Sequence, residues 1–264
     1  MERVLSPEKR LITSVLATFA ALAIVAFVGY FVVHVRAAEG GALQPMATVS
    51  LPSPAPGTRA TEAPAAKWLV AKTSGTVIVY RQPSSSALVR ATLSKLNPHG
   101  YPTLMLVRKT RQIDGLTWYN VWLAMRPNGS SGWVQASDVG TYATVARIVI
   151  DVSARRLSVY RGGRLMGRFP VAVGSSAYPT PTGSFFIDEK LRPSPSGGLY
   201  GVLAMGLSAF QPRLPTLGAL AIHGTNNDAL IGRAVSDGCI RMHNADVLKV
   251  SAWVPSGSPV VIER

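Results

Sequence analysis

From residue 67 onwards the sequence consists of short apolar runs, each ended by glycine, proline or other turn-forming residues. Clear examples are residues 75–80, 103–107, 117–122 and 132–135. Apolar runs of about four to eight residues between turn signals are typical of β-strands, whereas helices need about ten or more residues. The sequence therefore predicts a mainly β protein.

The first group of predicted strands, residues 67–140, carries an aromatic pattern. Residues 77–80, 118–121 and 132–134 read Val-Ile-Val-Tyr, Trp-Tyr-Asn-Val and Gly-Trp-Val. In this order they resemble the bacterial SH3 pattern. The resemblance implies a small SH3-like β-barrel that binds cell-wall polymer or serves as a spacer. His99, in a turn with proline and glycine on either side, is expected to be solvated.

The second group of predicted strands, residues 145–264, starts with residues 146–151 and 156–160 on either side of a tight turn. A third run, residues 165–173, extends them into a β-meander. Asn244 is expected to cap a short helix, and residues 260–262 form the last strand. The segment is predicted to be a β-sandwich or meander with one short helix.

Residues 190–206 interrupt this pattern with prolines and glycines, and they include Tyr200. An irregular segment of this kind is either a flexible lid over a site or a mobile surface loop. Tyr200 is a candidate substrate-binding residue if the segment covers a site.

Residues 11–33 contain no charged side chain, and about 20 apolar residues suffice to cross a bilayer. More basic residues precede this run than follow it closely, so the N-terminus is expected in the cytoplasm. A cleaved signal peptide is the alternative, although its apolar core is normally only about 7 to 15 residues long. The prediction is a single-pass anchor in residues 1–36 and a Pro/Ala-rich linker in residues 37–66. The remaining chain would then lie in the periplasm or cell-wall space.

The formal net charge is +14. Nucleic acid is a common partner of such basic chains, but the predicted topology removes the basic domains from the cytoplasm. The anionic partners left are the membrane surface and the polymers of a bacterial wall. A solvated basic surface without a specific partner is the other interpretation.

Cys239 is the only cysteine of the chain, so no internal disulfide can form. A lone cysteine can be a small buried hydrophobe, a dimer bridge or a reactive nucleophile. Here it lies between Gly238 and a nearby Arg241, and His223 follows an apolar run sixteen positions earlier. Cationic neighbours of this kind lower a thiol pKa. If residues 239–241 are extended, alternation places Cys239 and Arg241 on one face and buries Ile240 on the other.

Metal binding is an alternative use of these residues. His223, Asp237, Cys239 and His243 could ligate zinc, but the sequence lacks a Cys-x-x-Cys pair or a His-Glu-x-x-His pattern. No metal or other cofactor is therefore expected. His243 is also a rival base, although its place before the predicted helix favours a turn role. A papain-like peptidase is disfavoured because here the histidine precedes the cysteine.

Several motifs of the second segment resemble the L,D-transpeptidase catalytic domain of the YkuD type. They stand in family order at residues 148–151, 156–160, 180–185, 222–225 and 236–242. Asp237 departs from the pattern, because the family commonly has histidine there. An acidic group at this position is expected either to raise the thiol pKa or to shift the hydrogen bonding around Cys239.

The resemblance implies a transferase that acts on peptidoglycan stem peptides. Cys239 would be the nucleophile and His223 the general base and acid, with Gly224 orienting His223. The N–H groups of Gly238 and Cys239 would stabilise the oxyanion. Substrate-binding residues would be Arg241, Ser236 and Tyr200. The alternatives are an L,D-carboxypeptidase with water as acceptor and a non-catalytic or weakly catalytic wall-binding protein.

Overall fold

The computed structural model describes residues 67–194, 196–214 and 218–264. The predicted membrane anchor and linker lie outside these ranges. Within them, no helix combines the length and hydropathy that a bilayer crossing requires. The described chain is mainly β, as the sequence predicted.

The first sheet has seven strands, in the spatial order β3-β2-β6-β5-β4-β1-β7. Its strands are β1 (Trp68–Thr73), β2 (Val77–Tyr80), β3 (Val89–Leu93), β4 (Leu104–Ile113), β5 (Leu116–Trp122), β6 (Ser131–Gln135) and β7 (Val139–Thr144). Its own core includes Ala71, Val79 and Val121, all fully buried. The strands β1, β3 and β7 were not predicted individually. β3 and β7 lack an uninterrupted apolar run, whereas β1 begins with the apolar residues 68–71 and is followed by Ser74 and Gly75, a signal that was overlooked.

The second sheet has eight strands, in the order β10-β9-β8-β17-β12-β13-β14-β16. Its strands are β8 (Ala146–Asp151), β9 (Arg156–Arg161), β10 (Arg164–Pro170), β12 (Gly183–Leu191), β13 (Ala204–Phe210), β14 (Ala219–His223), β16 (Ile240–Arg241) and β17 (Pro259–Glu263). The strands β11 (Val173–Gly174) and β15 (Ala234–Ser236) form a separate parallel pair. The helix α1 (Asn244–Trp253) follows β16.

The predicted meander is present as β8, β9 and β10, which pair antiparallel in sequence order. It is part of a mixed sheet, because β17 pairs parallel with β8 and β14 pairs parallel with β16. The segment predicted to be irregular is shorter than expected. β12 runs to Leu191 and β13 starts at Ala204, so irregular backbone is confined to the residues between them.

The two sheets pack against each other through an apolar contact. Phe186 of β12 is fully buried and clusters with Val70, Leu104 and Leu106 of the first sheet. A Cβ on Gly257 would overlap the side chain of Val70, which shows how closely the backbone approaches here. The first sheet is therefore joined to the second by a packed core.

The cap of α1 differs from the prediction. The N-cap residue is His243, and no side chain caps the helix. Asn244 instead turns its side chain to the neighbouring loops: Oδ1 accepts from the N–H groups of Val202 and Thr225, and Nδ2 donates to Thr225 O. This residue therefore fastens the loop after β14 and the loop before β13 to the start of the helix.

Candidate active site

The site lies on one face of the parallel pair of β14 and β16. Ile222 is opposite Ile240, and His223 is opposite Arg241. Both isoleucines are fully buried in the core. Because side chains alternate along a strand, His223, Arg241 and Cys239 share the other face. The predicted alternation of residues 239–241 is thus present.

His223 ends β14 and is 2% exposed. Its Nδ1 lies 2.6 Å from the carbonyl oxygen of Gly224. A carbonyl oxygen can only accept, so Nδ1 carries the proton and Nε2 keeps a free lone pair. Burial lowers the pKa of His223 to about 4, against a smaller opposite effect of the Gly224 hydrogen bond. At neutral pH the imidazole is therefore uncharged and can accept a proton.

Cys239 is half-buried and packs against the core of the second sheet. Burial raises the pKa of its thiol, a backbone hydrogen bond from Ala221 and the charge of Arg241 lower it, and Asp237 raises it. The net direction is upward. The expectation of a thiol pKa lowered by cationic neighbours is therefore wrong, because burial outweighs Arg241 and His223 is itself uncharged. The resting pair is a thiol beside a neutral imidazole.

Ser236 and Gly238 shape the turn that presents Cys239. Ser236 is 1% exposed, accepts from Gly238 N–H and donates to Cys239 O at 2.6 Å. Both of these hydrogen bonds of its hydroxyl lie within the turn, and a role of Ser236 in substrate binding stays a prediction. The N–H of Gly238 is also occupied, which leaves Cys239 N–H as the candidate oxyanion donor of the two that were predicted.

Gly238 needs to be glycine for two reasons. Its φ is +111°, a conformation that L side chains rarely adopt, and a Cβ there would lie 2.7 Å from Nε2 of Gln211. Its carbonyl oxygen accepts from Thr180 Oγ1 at 2.9 Å. Thr180 in turn accepts from Gly174 N–H. The sequence analysis did not assign Thr180 or Gln211 a role, although Thr180 lies in one of the motifs that carry the resemblance.

Tyr200 lies over the site. Its ring contacts His223 edge-on, with 4.9 Å between ring centroids, and it is 42% exposed. Burial raises the pKa of its phenol, and the nearby Cys239 also raises it, while Arg241 lowers it. The segment that the sequence predicted to be either a lid or a surface loop thus places Tyr200 beside the residues predicted to be catalytic.

Gly224 and Gly201 allow the backbone that carries Tyr200 to approach the backbone next to His223 closely. Gly201 has φ +64°, and a Cβ on either glycine would overlap Oδ1 of Asn244. The N–H of Gly224 donates to Leu203 O. The backbone that orients His223 and the backbone that carries Tyr200 are therefore held by one asparagine, which the sequence analysis had assigned to a helix cap.

Arg241 is half-buried on the site face, and its Nε is buried with no hydrogen-bond partner among the described residues. A buried guanidinium nitrogen without a partner is costly, because the desolvation is not compensated. An acceptor on a bound ligand would satisfy it. This arrangement suits the predicted role of Arg241 in holding a carboxylate.

The remaining zinc-ligand candidates are His243 and Asp237. His243 Nδ1 lies 2.9 Å from Asp228 Oδ1, in a surface pair. Asp237 is exposed. Among residues 67–264, the ranges that are described contain no cluster of three His, Cys, Asp or Glu side chains placed to hold a metal ion.

The chain was compared with known proteins. Residues 145–262 match the family model of the YkuD L,D-transpeptidase catalytic domain. YkuD of Bacillus subtilis (strain 168), assigned as an L,D-transpeptidase, is 41% identical over 123 residues, which are 47% of this chain and 69% of that protein. YkuD of Bacillus licheniformis, assigned likewise, is 42% identical over 116 residues, 44% of this chain and 64% of that protein. This chain thus spans about two thirds of each relative.

A crystal structure of an L,D-transpeptidase from Mycobacterium tuberculosis H37Rv covers 73% of this chain and 95% of its own, with 17% identity and a TM-score of 0.43. The family model, over residues 145–262, includes the site described above and all but the last residue of the second sheet. The chain therefore belongs to the L,D-transpeptidase family of the YkuD type and is an enzyme of that family.

Proposed function

We propose that this enzyme cleaves peptidoglycan tetrapeptide stems before the terminal D-alanine and transfers the acyl group to the side-chain amine of another stem. The observation that carries the proposal is the shared face of β14 and β16. It holds a thiol, a neutral imidazole with a free Nε2, and an arginine nitrogen that has no hydrogen-bond partner in the described part of the chain. These groups are a nucleophile, a base and an anion binder, which acyl transfer to and from a peptide requires.

The first half-reaction follows from the protonation states. Sγ of Cys239 attacks the carbonyl carbon of the third stem residue while its proton passes to Nε2 of His223. The N–H of Cys239 donates to the oxyanion, a contribution of about 2.7–4 kcal/mol for comparable donors. When the C–N bond breaks, the leaving amine of D-alanine takes the proton from Nε2, and a thioester remains on Cys239.

The second half-reaction reverses the order. An amine of the acceptor stem gives a proton to Nε2 and attacks the thioester carbonyl. The C–S bond breaks, and the sulfur of Cys239 takes the proton back. A neutral base is needed twice, and because the pKa of His223 is lowered, its Nε2 is unprotonated at neutral pH at the start of each half-reaction. Arg241 would hold a stem carboxylate through its unpartnered Nε.

The test is incubation of the purified chain with disaccharide tetrapeptide, followed by mass spectrometry of the products. A cross-linked dimer that lacks one D-alanine supports the transpeptidase. A tripeptide alone would identify an L,D-carboxypeptidase with water as acceptor. Unchanged substrate, together with sedimentation of the protein with isolated cell wall, would identify a wall-binding protein.

Cys239→Ala is the matched control for this assay. We expect it to form no product and no covalent adduct with a carbapenem β-lactam, because no other thiol is present in the chain. Intact-mass measurement checks this expectation. An adduct that persists in the variant would contradict the role of Cys239.

The location of the enzyme is part of the proposal. Residues 1–36 would anchor it in the membrane with the N-terminus in the cytoplasm, and residues 37–66 would link the anchor to the extracytoplasmic sheets. The support is the uncharged run at residues 11–33 and the basic residues before it. Protease accessibility of the second sheet in intact cells and in opened cells would distinguish this topology from its reverse.

The first sheet is proposed to bind anionic wall polymer as an SH3-like module. Lys109 and Arg111 are exposed on β4, and the guanidinium of Arg111 lies 5.6 Å from the ring centroid of Trp133. A basic and aromatic face of this kind suits a polyanion. Changing both basic residues to serine should weaken sedimentation with isolated cell wall and leave the cleavage of a soluble stem peptide unchanged. Equal sedimentation would refute the binding role.

A further inference from the structure

A loop of the first sheet forms hydrogen bonds with the end of β13, the strand next to β14 in the second sheet. Asn128, between β5 and β6, donates from Nδ2 to Phe210 O and accepts at Oδ1 from Phe210 N–H, both at 2.8 Å. One side chain thus satisfies both backbone groups of the last residue of β13. The pairing imitates the edge of a sheet and fixes where β13 ends.

Arg126 binds the backbone that follows Phe210. Its guanidinium donates to Gln211 O at 3.2 Å and to Leu214 O at 2.6 Å, and it lies 4.9 Å from the ring centroid of Phe210. The backbone after β13 is therefore bound from the first sheet at consecutive residues. Here we define Arg126, Asn128, Phe210 and Gln211 as the clasp.

The clasp continues into the catalytic turn through the side chain of Gln211. This residue is 1% exposed, and its Nε2 donates to Pro179 O at 2.9 Å and, more weakly, toward Asp237 O at 3.5 Å. The same nitrogen lies directly behind Gly238, where a Cβ would come within 2.7 Å of it. Gln211 therefore supports the backbone immediately before Cys239.

Gln211 also reaches the turn by a second route. It holds Pro179, and the next residue, Thr180, donates to Gly238 O. The two residues before Cys239 are thus supported at both carbonyl oxygens. A shift of Gln211 would move the thiol and the candidate oxyanion donor together, because both belong to Cys239.

We propose that Asn128 and Arg126 are positioning residues of the transferase, and that the first sheet holds the catalytic turn in place through Gln211. This inference rests on the proposed function for its consequence in catalysis. It gives the first sheet a second role besides binding wall polymer. The reaction depends on geometry within about 1 Å, so loosening the clasp is expected to cost rate as well as stability.

A second contact between the sheets supplies a matched control. Asn97, also in a first-sheet loop, donates from Nδ2 to Glu189 Oε2 at 2.6 Å. Like Asn128, it joins the first sheet to a residue of the second. Unlike Asn128, none of its hydrogen bonds leads to the turn of Ser236–Met242. Asn97→Ala therefore reports what the loss of an inter-sheet asparagine does to the fold alone.

The test compares the full chain with Asn128→Ala and Asn97→Ala. We expect both to lower Tm, but only Asn128→Ala to slow acylation of Cys239 by a carbapenem, by about 10- to 100-fold. Only Asn128→Ala should also move the pH midpoint of iodoacetamide alkylation down toward the ordinary thiol value of about 8.5, since a loosened turn reduces the burial of the thiol. Rates and midpoints that change equally in the two variants, or in neither, would overturn the proposal.

Further measurements separate a failure of the clasp proposal from a failure of the proposed transferase function. If a carbapenem does not acylate the unmodified chain, the alkylation midpoints still test the clasp, because they need no transferase activity. If Asn128→Ala does not fold, Arg126→Lys, which cannot donate to both carbonyl oxygens in a fork, takes its place. A double variant with Gln211→Ala should slow acylation little more than Gln211→Ala alone, since both act through one path. Fully multiplicative losses would contradict that path.

Discussion

His223 and His99 differ in their exposure and in the groups that hold them. His223 is 2% exposed and its Nδ1 faces the carbonyl oxygen of Gly224. His99 has a side chain 60% exposed, and its Nδ1 lies 2.6 Å from Oε1 of the buried Glu189. The carbonyl oxygen of Gly224 fixes the tautomer of His223, whereas the carboxylate of Glu189 ties His99 to the second sheet. One histidine is thus kept available as a base, and the other joins the two sheets.

The acid groups near the two histidines also differ. The thiol of Cys239 and the carboxyl of Asp188 both have raised pKa values, and burial is the main cause in each case. For the thiol, the raised pKa opposes activation, because the thiolate is the nucleophile and forms only when the proton passes to His223. For Asp188, near Asn97 and His99, a charged state above its pKa is a cost to stability. The same physical effect therefore opposes formation of the thiolate in one region and folding in the other.

Replacing each histidine by glutamine gives the largest expected effect. His223→Gln keeps a hydrogen-bonding side chain but removes the proton acceptor, so acylation of Cys239 should slow by about 10²- to 10⁴-fold. His99→Gln should leave that rate within about two-fold and lower Tm. Stopped-flow acylation and thermal unfolding measure the two outcomes. A similar loss of rate in both variants would show that His223 acts through the fold and not as a base.

The two histidines also show which features of the site could be predicted from the sequence and which could not. His223 and Cys239 were found because local pattern suffices: a strand end before glycine, and alternation through Cys239 and Arg241. His99 was predicted to be solvated, and its side chain is indeed 60% exposed, but its partner was not predicted. Its partner Glu189 is 90 residues away and belongs to the other sheet. Turn residues show that a loop exists but not which surface it meets.

The need to know which parts of the chain meet in the fold also explains what could not be predicted at the other site residues. Burial decides the thiol pKa, and burial depends on the whole core of the second sheet, whereas the charges of Arg241 and Asp237 could be read locally. Ser236 was close to the nucleophile in sequence, but only the fold of its turn shows that both hydrogen bonds are internal. Gln211 lies outside the motifs that carry the resemblance, so nothing local distinguished it.

The next effect in size concerns Asp188. Its pKa is raised to about 6 in the folded protein, so folding favours the protonated form. Stability is then greatest below the unfolded pKa of about 3.8 and falls as pH rises through about 6. Asp188→Asn removes this loss. It should raise the free energy of unfolding above pH 6 by at most about 3 kcal/mol and change it little near pH 3.5.

Urea unfolding at several pH values checks this expectation. Asp138→Asn, an exposed carboxylate of the same first sheet as Asn97, is the control and should leave the pH dependence unchanged. A gain for Asp188→Asn that is equal at all pH values would mean that its packing matters and its charge does not. The contrast with Cys239 would then lose its electrostatic basis.

Asp237 provides the smallest effect and tests the catalytic region directly. It is exposed, and its charge is the last in size of the four influences on the thiol pKa, in the upward direction. Asp237→Asn removes that charge, so the thiol pKa should fall and the pH profile of iodoacetamide alkylation should move to lower pH by a fraction of a unit. At neutral pH this corresponds to about a two- to three-fold faster alkylation.

The salt dependence of the shift tests whether Asp237 acts through its charge. An exposed charge is screened with a Debye length of about 10 Å at 0.1 M salt, so the difference between Asp237→Asn and the unmodified chain should shrink at 1 M salt. Asp228→Asn, an exposed carboxylate paired with His243, should not shift the profile. A shift for Asp237→Asn that is independent of salt would mean that its backbone contact with Gln211 Nε2 has changed. In that case Asp237 would act on Cys239 through the clasp and not through its charge.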